Sequence, residues 1–194
     1  ALIMFPMVCS LDELRAAKDR VEQAKNQLRL RGEKFDEQIK VGIMVEIPSA
    51  AVIADLLIKE ADFFSIGSND LTQYTLAVDR MNEKISYLYN SFHPAMLRLI
   101  KSVIEPAHTA GGHKFAGMCG EMAGDPRATL LLLGLGLQEF SVNPSSLLLI
   151  RKIISSVDFT YAQAVASHAL TLGTAAEIET HLAEALPSEL KNFL

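Results

Sequence analysis

The chain has 194 residues, 49% of them apolar, and a formal net charge of −5. That length and apolar share suit one packed domain and exclude a disordered chain. Without a basic block, nucleic acid and anionic membrane are excluded as predicted partners, and no run of about 18 apolar residues offers membrane insertion. The nearest stretch, Ala128 to Leu137, is too short and holds two glycines. The two cysteines, Cys9 and Cys119, follow apolar runs and no signal peptide precedes them. This predicts a reducing, cytoplasmic setting in preference to a disulfide framework. Ala1 opens directly into the apolar run Leu2–Val8 with no initiator Met, so the chain is expected to continue upstream.

In chain order, five apolar runs read as buried strands: Leu2–Val8, Val41–Ile47, Phe63–Ile66, Phe115–Met118 and Glu139–Val142. Their continuous apolar character predicts strands covered on both faces, as in a parallel sheet. Ser10 to Glu13 has capping-box spacing, and a charged amphipathic helix follows to about Arg31. Pro48 opens a predicted helix to about Lys59, and Pro94 opens another to about Ala110, stopped by Gly111-Gly112. Asp125-Pro126 supplies a cap and a first-turn proline for a helix over Arg127–Leu133. Helices over Ser145–Ser155, Thr160–Leu172 and Thr174–Leu186 close the chain, the last behind a Gly173 stop and a Thr174/Glu177 capping box. The order is β-α five times, then extra helices, which implies a parallel sheet with right-handed crossovers. An open doubly wound sheet and part of a closed barrel both fit this pattern.

In such folds functional residues gather where strands end and helices begin. The second run ends at Glu46, a carboxylate that is costly inside an apolar strand unless something compensates it. The third ends Gly67-Ser68-Asn69-Asp70, small residues that let backbone amides approach an anion at a helix start. The fourth ends Cys119-Gly120-Glu121, and Arg80 follows Asp70 closely enough to reach the same rim. Two carboxylates near an anion site suit Mg2+, which retains waters and takes phosphate oxygens as further ligands. An arginine there clamps oxygens bidentately, and a thiol can donate a proton or attack. Each residue also has a plainer reading. Glu46 can be an ion-pair partner, Asn69-Asp70 a helix cap, Arg80 a surface residue and Cys119 core packing. Cys9 is read as core packing.

The wording of these segments adds to their spacing. Val45-Glu46-Ile47-Pro48-Ser49, the run Phe63 to Thr75 containing Gly67-Ser68-Asn69-Asp70-Leu71-Thr72-Gln73-Tyr74, then Asp79-Arg80, and Gly117-Met118-Cys119-Gly120-Glu121-Met122-Ala123-Gly124-Asp125 resemble the phosphoenolpyruvate-utilising enzymes. Among these they are most similar to the enzyme I family of the bacterial sugar phosphotransferase system, the phosphoenolpyruvate-protein phosphotransferases. The opening Ile3-Met4-Phe5-Pro6-Met7 and the closing helices share the likeness, so it covers essentially the whole chain. Pyruvate phosphate dikinase and phosphoenolpyruvate synthase have the same skeleton, but Gln73 to Arg80 and Cys119 to Gly124 favour enzyme I.

The resemblance implies that residues 1–194 are the C-terminal portion, about five βα units, of a (β/α)8 TIM-type barrel with extra C-terminal helices. It implies Glu46 and Asp70 as Mg2+ ligands, Asn69, Asp70 and Arg80 as phosphoenolpyruvate-binding residues, and Cys119 as the acid that protonates the enolate carbon to give pyruvate. It further implies a homodimer, and transfer of the phosphoryl group to a histidine on a separate N-terminal domain and then to HPr. The chain departs from the family's full pattern. It carries the final five of eight strands, without the upstream substrate-binding arginines, and none of its five histidines stands in a Gly-Gly-x-Thr-Ser-His context. Gly111-Gly112-His113 precedes a strand, belongs to the opposite face, and reads as a helix stop and turn. This piece alone is therefore expected to be inactive. The open edges at Leu2–Val8 and Glu139–Val142 predict association with a second copy or with the rest of the barrel. A dikinase or synthase fragment, or a non-catalytic dimerisation or regulatory module, are the alternatives.

Overall fold

The computed structural model describes residues 1–193. Among the described residues the strands are β1 (Leu2–Phe5), β2 (Lys40–Val45), β3 (Phe63–Gly67), β4 (Phe115–Cys119) and β5 (Glu139–Phe140). All neighbouring pairs are parallel, in the order β1-β2-β3-β4-β5. The order advances one strand at a time, so no switch point of a doubly wound sheet lies among them. The strands are connected through α1 (Leu11–Arg31), α2 (Pro48–Val52), α3 (Ala54–Glu60), α4 (Ser68–Leu76), α5 (Pro94–Thr109) and α6 (Pro126–Gly134). After β5 come α7 (Pro144–Ser155), α8 (Phe159–Ala169), α9 (Ala175–Ala185) and a 3-10 turn, Ser188–Phe193.

The core follows from strand alternation. Ile43, Val45, Phe64, Ile66, Ala116 and Met118 share one face and pack with helix residues such as Leu57, Leu97, Ile100, Ile104 and Leu131. Burying each large aliphatic chain contributes about 1.5–3 kcal/mol, which offsets the entropy of ordering the connections. Contrary to the expectation of two covered faces, the opposite face is partly open. Leu2 and Met4 are 49% and 38% exposed there, and Glu139 is exposed as well.

Helix boundaries follow local chemistry. Ser10 Oγ accepts the Glu13 amide at the start of α1, but the Glu13 carboxylate takes the Cys9 amide, so the predicted box forms only by half. The Thr174/Glu177 box closes in both directions. Gly111 and Gly112, both at positive φ, end the α5 segment as read from sequence.

Several expectations need correction. The first strand pairs only to Phe5, because Met7 adopts φ 58° and turns the chain out of the sheet. For the same reason Cys9, expected in the core, is exposed, and Val8 is the residue buried there. The predicted helix from Pro48 to Lys59 breaks at Ile53 (φ −104°, ψ 23°) into α2 and α3. Pairing in β5 stops at Phe140 instead of Val142. Ser68 begins α4, which gives an extent, to Leu76, to the helix start read from sequence at Gly67–Asp70.

Candidate active site

The sheet register builds the rim. Val45 pairs with Ile66, and Gly67 pairs with Cys119, so Glu46, Gly67 and Cys119 form a row at the C-terminal ends of β2, β3 and β4. Gly67 is required by close approach, since a Cβ there would lie 2.8 Å from Glu46 Oε2. Glu46 is only 3% exposed, and its Oε1 accepts the Met7 amide at 2.7 Å. Burial pushes the Glu46 carboxyl above the usual carboxylate range. The Met7 N–H opposes that shift, while the nearby Asp70 carboxylate adds to it. The two carboxyl groups are close enough to feel each other's charge. Asp70 stands in the first turn of α4, where the helix N-terminus favours negative charge.

The start of α4 is locked to the end of β4. Ser68 Oγ donates to the Cys119 carbonyl at 3.2 Å, and Asn69 Oδ1 accepts the Glu121 amide at 3.2 Å. Gly120 makes this fit possible. It sits at φ 97°, ψ 179°, and a Cβ there would collide with Ser68 Oγ. The Cys119 thiol accepts a hydrogen bond from Ser65 Oγ at 3.5 Å and lies 3.7 Å from the Ile66 carbonyl. Beside it opens a cleft of about 430 Å3, lined by Asn69, Cys119, Glu121, Ser141, Asn143 and Ser146 among others.

Arg80 lies exposed on the loop after α4, with its Nη1 3.7 Å from Glu121 Oε1. Its amide donates to Gln73 Oε1 at 3.3 Å. The structure thus sets Glu46 near Asp70, brings Asn69 and Cys119 to one cleft through the Ser68–Cys119 and Asn69–Glu121 bonds, and ties Arg80 to that cleft only through Glu121. Two contributors escaped the sequence reading. Ser65, the one polar residue in Phe63-Phe64-Ser65-Ile66, left a trace as a break in an apolar run. Tyr89, whose hydroxyl donates to the Asn69 carbonyl at 3.2 Å, left none.

Among the described residues no three His, Cys, Asp or Glu side chains converge as a self-sufficient metal cage. A buried carboxyl facing a second one at a helix start is still a donor set that fits Mg2+, which needs only one or two protein carboxylates when phosphate and water complete its shell. Among the described residues no helix is long and apolar enough to cross a membrane.

A parallel α/β sheet with carboxylates, a thiol and helix-start amides on its C-terminal rim belongs with the α/β domains that carry their sites where strands end. The family described as PEP-utilising enzyme, PEP-binding domain matches residues 1–159, and the chain belongs to it. A phosphoenolpyruvate-protein phosphotransferase of Haemophilus influenzae is 56% identical over 184 residues, covering 95% of this chain and 32% of that protein. Proteins of the same name from Enterococcus faecalis and from Buchnera aphidicola of Acyrthosiphon pisum are 55% and 54% identical, covering 87% and 91% of the chain and 29% and 30% of their own lengths. The chain thus spans about a third of the length of these relatives.

Proposed function

We propose that residues 1–194 are the phosphoenolpyruvate-binding, Mg2+-dependent portion of a phosphotransferase, the C-terminal part of a (β/α)8 barrel. The observation that carries the reading is the row Glu46, Gly67, Cys119 with Asp70 in the first turn of the helix that follows Gly67. The uninterrupted strand order and the partly open second face support the barrel. The name shared by the relatives favours a phosphotransferase over a dikinase or synthase. By the same likeness, the phosphoryl group goes to a histidine on a domain outside this chain and then to HPr for sugar uptake, in a cytoplasmic homodimer.

In this reading Glu46 and Asp70 hold Mg2+, which supplies charge neutralisation for phosphate and enolate oxygens. Asn69 and the first amides of α4 orient the phosphate. Arg80 leaves Glu121 to clamp phosphate oxygens. The ester P–O bond breaks as the acceptor histidine nitrogen binds phosphorus, and pyruvate enolate remains. Cys119 then gives its thiol proton to the enolate carbon, forming the methyl group of pyruvate, and the Ser65 hydroxyl donates to the sulfur left behind. Calorimetric titration of the protein at its full natural length with phosphoenolpyruvate should show binding that requires Mg2+ and is lost in Asp70→Ala. Equal binding with and without Mg2+ refutes the metal assignment. Phosphorylated HPr formed from phosphoenolpyruvate supports the transfer, and its absence refutes it.

A further inference from the structure

The matched family pattern ends at residue 159, yet a side chain of α9, well beyond it, reaches back toward the rim. Glu179 Oε1 accepts from Asn90 Nδ2 at 2.6 Å, and Glu179 Oε2 lies 3.3 Å from Arg127 Nη1. Arg127 is itself fixed, bonded to both oxygens of Asp125 and lying 4.9 Å over the Phe92 ring. Asn90 is held at both ends of its amide, because its Oδ1 accepts the Phe92 N–H at 2.8 Å. The neighbouring Tyr89 hydroxyl donates to the Asn69 carbonyl at 3.2 Å. Its ring is half-buried beside Thr72, within the fields of Arg80, Glu121 and Asp70.

The segment these contacts fix is the one that carries Arg80. From Ala77 to Asn90 the regular structure is a single 3-10 turn, Ser86–Leu88. Its other side-chain hydrogen bonds are short-range, Asp79 to the Met81 amide, Asn82 to the Lys84 amide and Gln73 to the Arg80 amide, and beyond them, among the described residues, stand only the buried Val78 near its start and the long 3.7 Å ion pair of Arg80 with Glu121. A loop with so few long-range ties gains order when its return arm is anchored.

We infer that Glu179, Asn90 and Tyr89 form a positioning strut through which α9 holds Asn69 and the Arg80 loop in the geometry that receives the anionic substrate. The inference rests on the proposed phosphoenolpyruvate site and adds to it a helix outside the matched family pattern. None of the three residues needs to touch substrate. Tyr89 acts through the Asn69 carbonyl, and Glu179 acts through Asn90.

The test uses the protein at its full natural length in three variants. Glu179→Ala removes the anchor, Glu179→Gln keeps an acceptor oxygen for Asn90, and Tyr89→Phe keeps the ring and removes only the hydroxyl. Hydrogen–deuterium exchange over residues 78–90 should rise about fivefold or more in Glu179→Ala and stay near the unaltered rate in Glu179→Gln. Phosphoenolpyruvate Kd with Mg2+ should rise about 3- to 10-fold in Glu179→Ala and Tyr89→Phe, the effect of one net hydrogen bond, while exchange in β3 and α5 is unchanged. Unchanged exchange over 78–90 in Glu179→Ala overturns the strut. So does a Tyr89→Phe Kd within about twofold of the unaltered protein. Failure of the unaltered protein to bind phosphoenolpyruvate overturns the ligand assignment instead, and the exchange data then decide the strut alone.

Discussion

Glu46→Gln separates the cost of the site from its use. Glu46 is 3% exposed, and its raised pKa means that the folded protein holds this proton more tightly than the unfolded chain does. Below the ordinary carboxylate range both states are protonated and the group costs nothing. As pH rises, the unfolded state releases its proton first, so stability falls until the folded carboxyl has also ionised. Glutamine cannot ionise and keeps an oxygen for the Met7 amide, which Glu46 now accepts at 2.7 Å. The variant should therefore be more stable than the unaltered protein at pH 7 by about 0.5–2 kcal/mol, with the gap closing as pH falls toward 4. Urea denaturation across that pH range, without divalent cation, measures it. The same variant should lose Mg2+-dependent phosphoenolpyruvate binding. A Glu46→Gln protein that is less stable at pH 7, or whose stability difference does not change with pH, refutes the reasoning.

Three further outcomes are expected. Gly120→Ala puts a side chain at φ 97° and against Ser68 Oγ, which must release the Cys119 carbonyl; strain and the lost bond together should cost about 2–4 kcal/mol in denaturant unfolding. Thr174→Ala opens the capping box of α9 and should cost about 1 kcal/mol by the same assay. Cys119→Ala should slow pyruvate formation by about 100-fold or more while phosphoenolpyruvate Kd changes little, because the thiol acts on carbon late; normal pyruvate release by that variant, in a coupled lactate dehydrogenase assay, removes the role.

The parts of the fold that were legible were those whose cause is local. The run Val45-Glu46-Ile47-Pro48 marks a strand end because an apolar stretch closes on a carboxylate and then on a residue that starts a helix. Asp125-Pro126 and Thr174 to Glu177 name their helix starts for the same reason. What stayed hidden depends on partners distant in sequence. Met7 leaves the sheet at φ 58° with its amide held by Glu46, 39 residues away, and nothing in Phe5-Pro6-Met7-Val8-Cys9 announces that bond. The placing of Cys9 failed with it. The start of α4 was legible but its length was not, because Ser68, Asn69, Asp70, Thr72 and Thr75 favour caps and turns over helix interiors. Its lock to Cys119 and Glu121 came from strand register, which the sequence leaves unspecified. Glu179 sits among surface acids of an amphipathic helix and shows no mark of its role.

Ala77 at φ 53° and the unpartnered Thr75 hydroxyl lie at the far end of α4, but several other unfavourable features of this molecule gather in one place. Met7 and Gly120 at positive φ and the buried, proton-retaining Glu46 all lie on the C-terminal rim. One layer below, Ile43, Val45, Phe64, Ile66, Ala116 and Met118 are buried and regular. A rim that served only to cap the strands would gain by replacing Glu46 with an apolar residue, as most buried carboxyls would. Retaining it is reasonable if the cost is recovered on binding. On the proposed reading, a cation held by Glu46 and Asp70 would offset their mutual repulsion, and the amides at the start of α4 would become donors to an anion that arrives with it. Ligand that binds only the folded state then stabilises it by mass action. The pH-dependent weakness of the rim and its proposed affinity for a metal–anion pair would thus be two readings of one arrangement of charge.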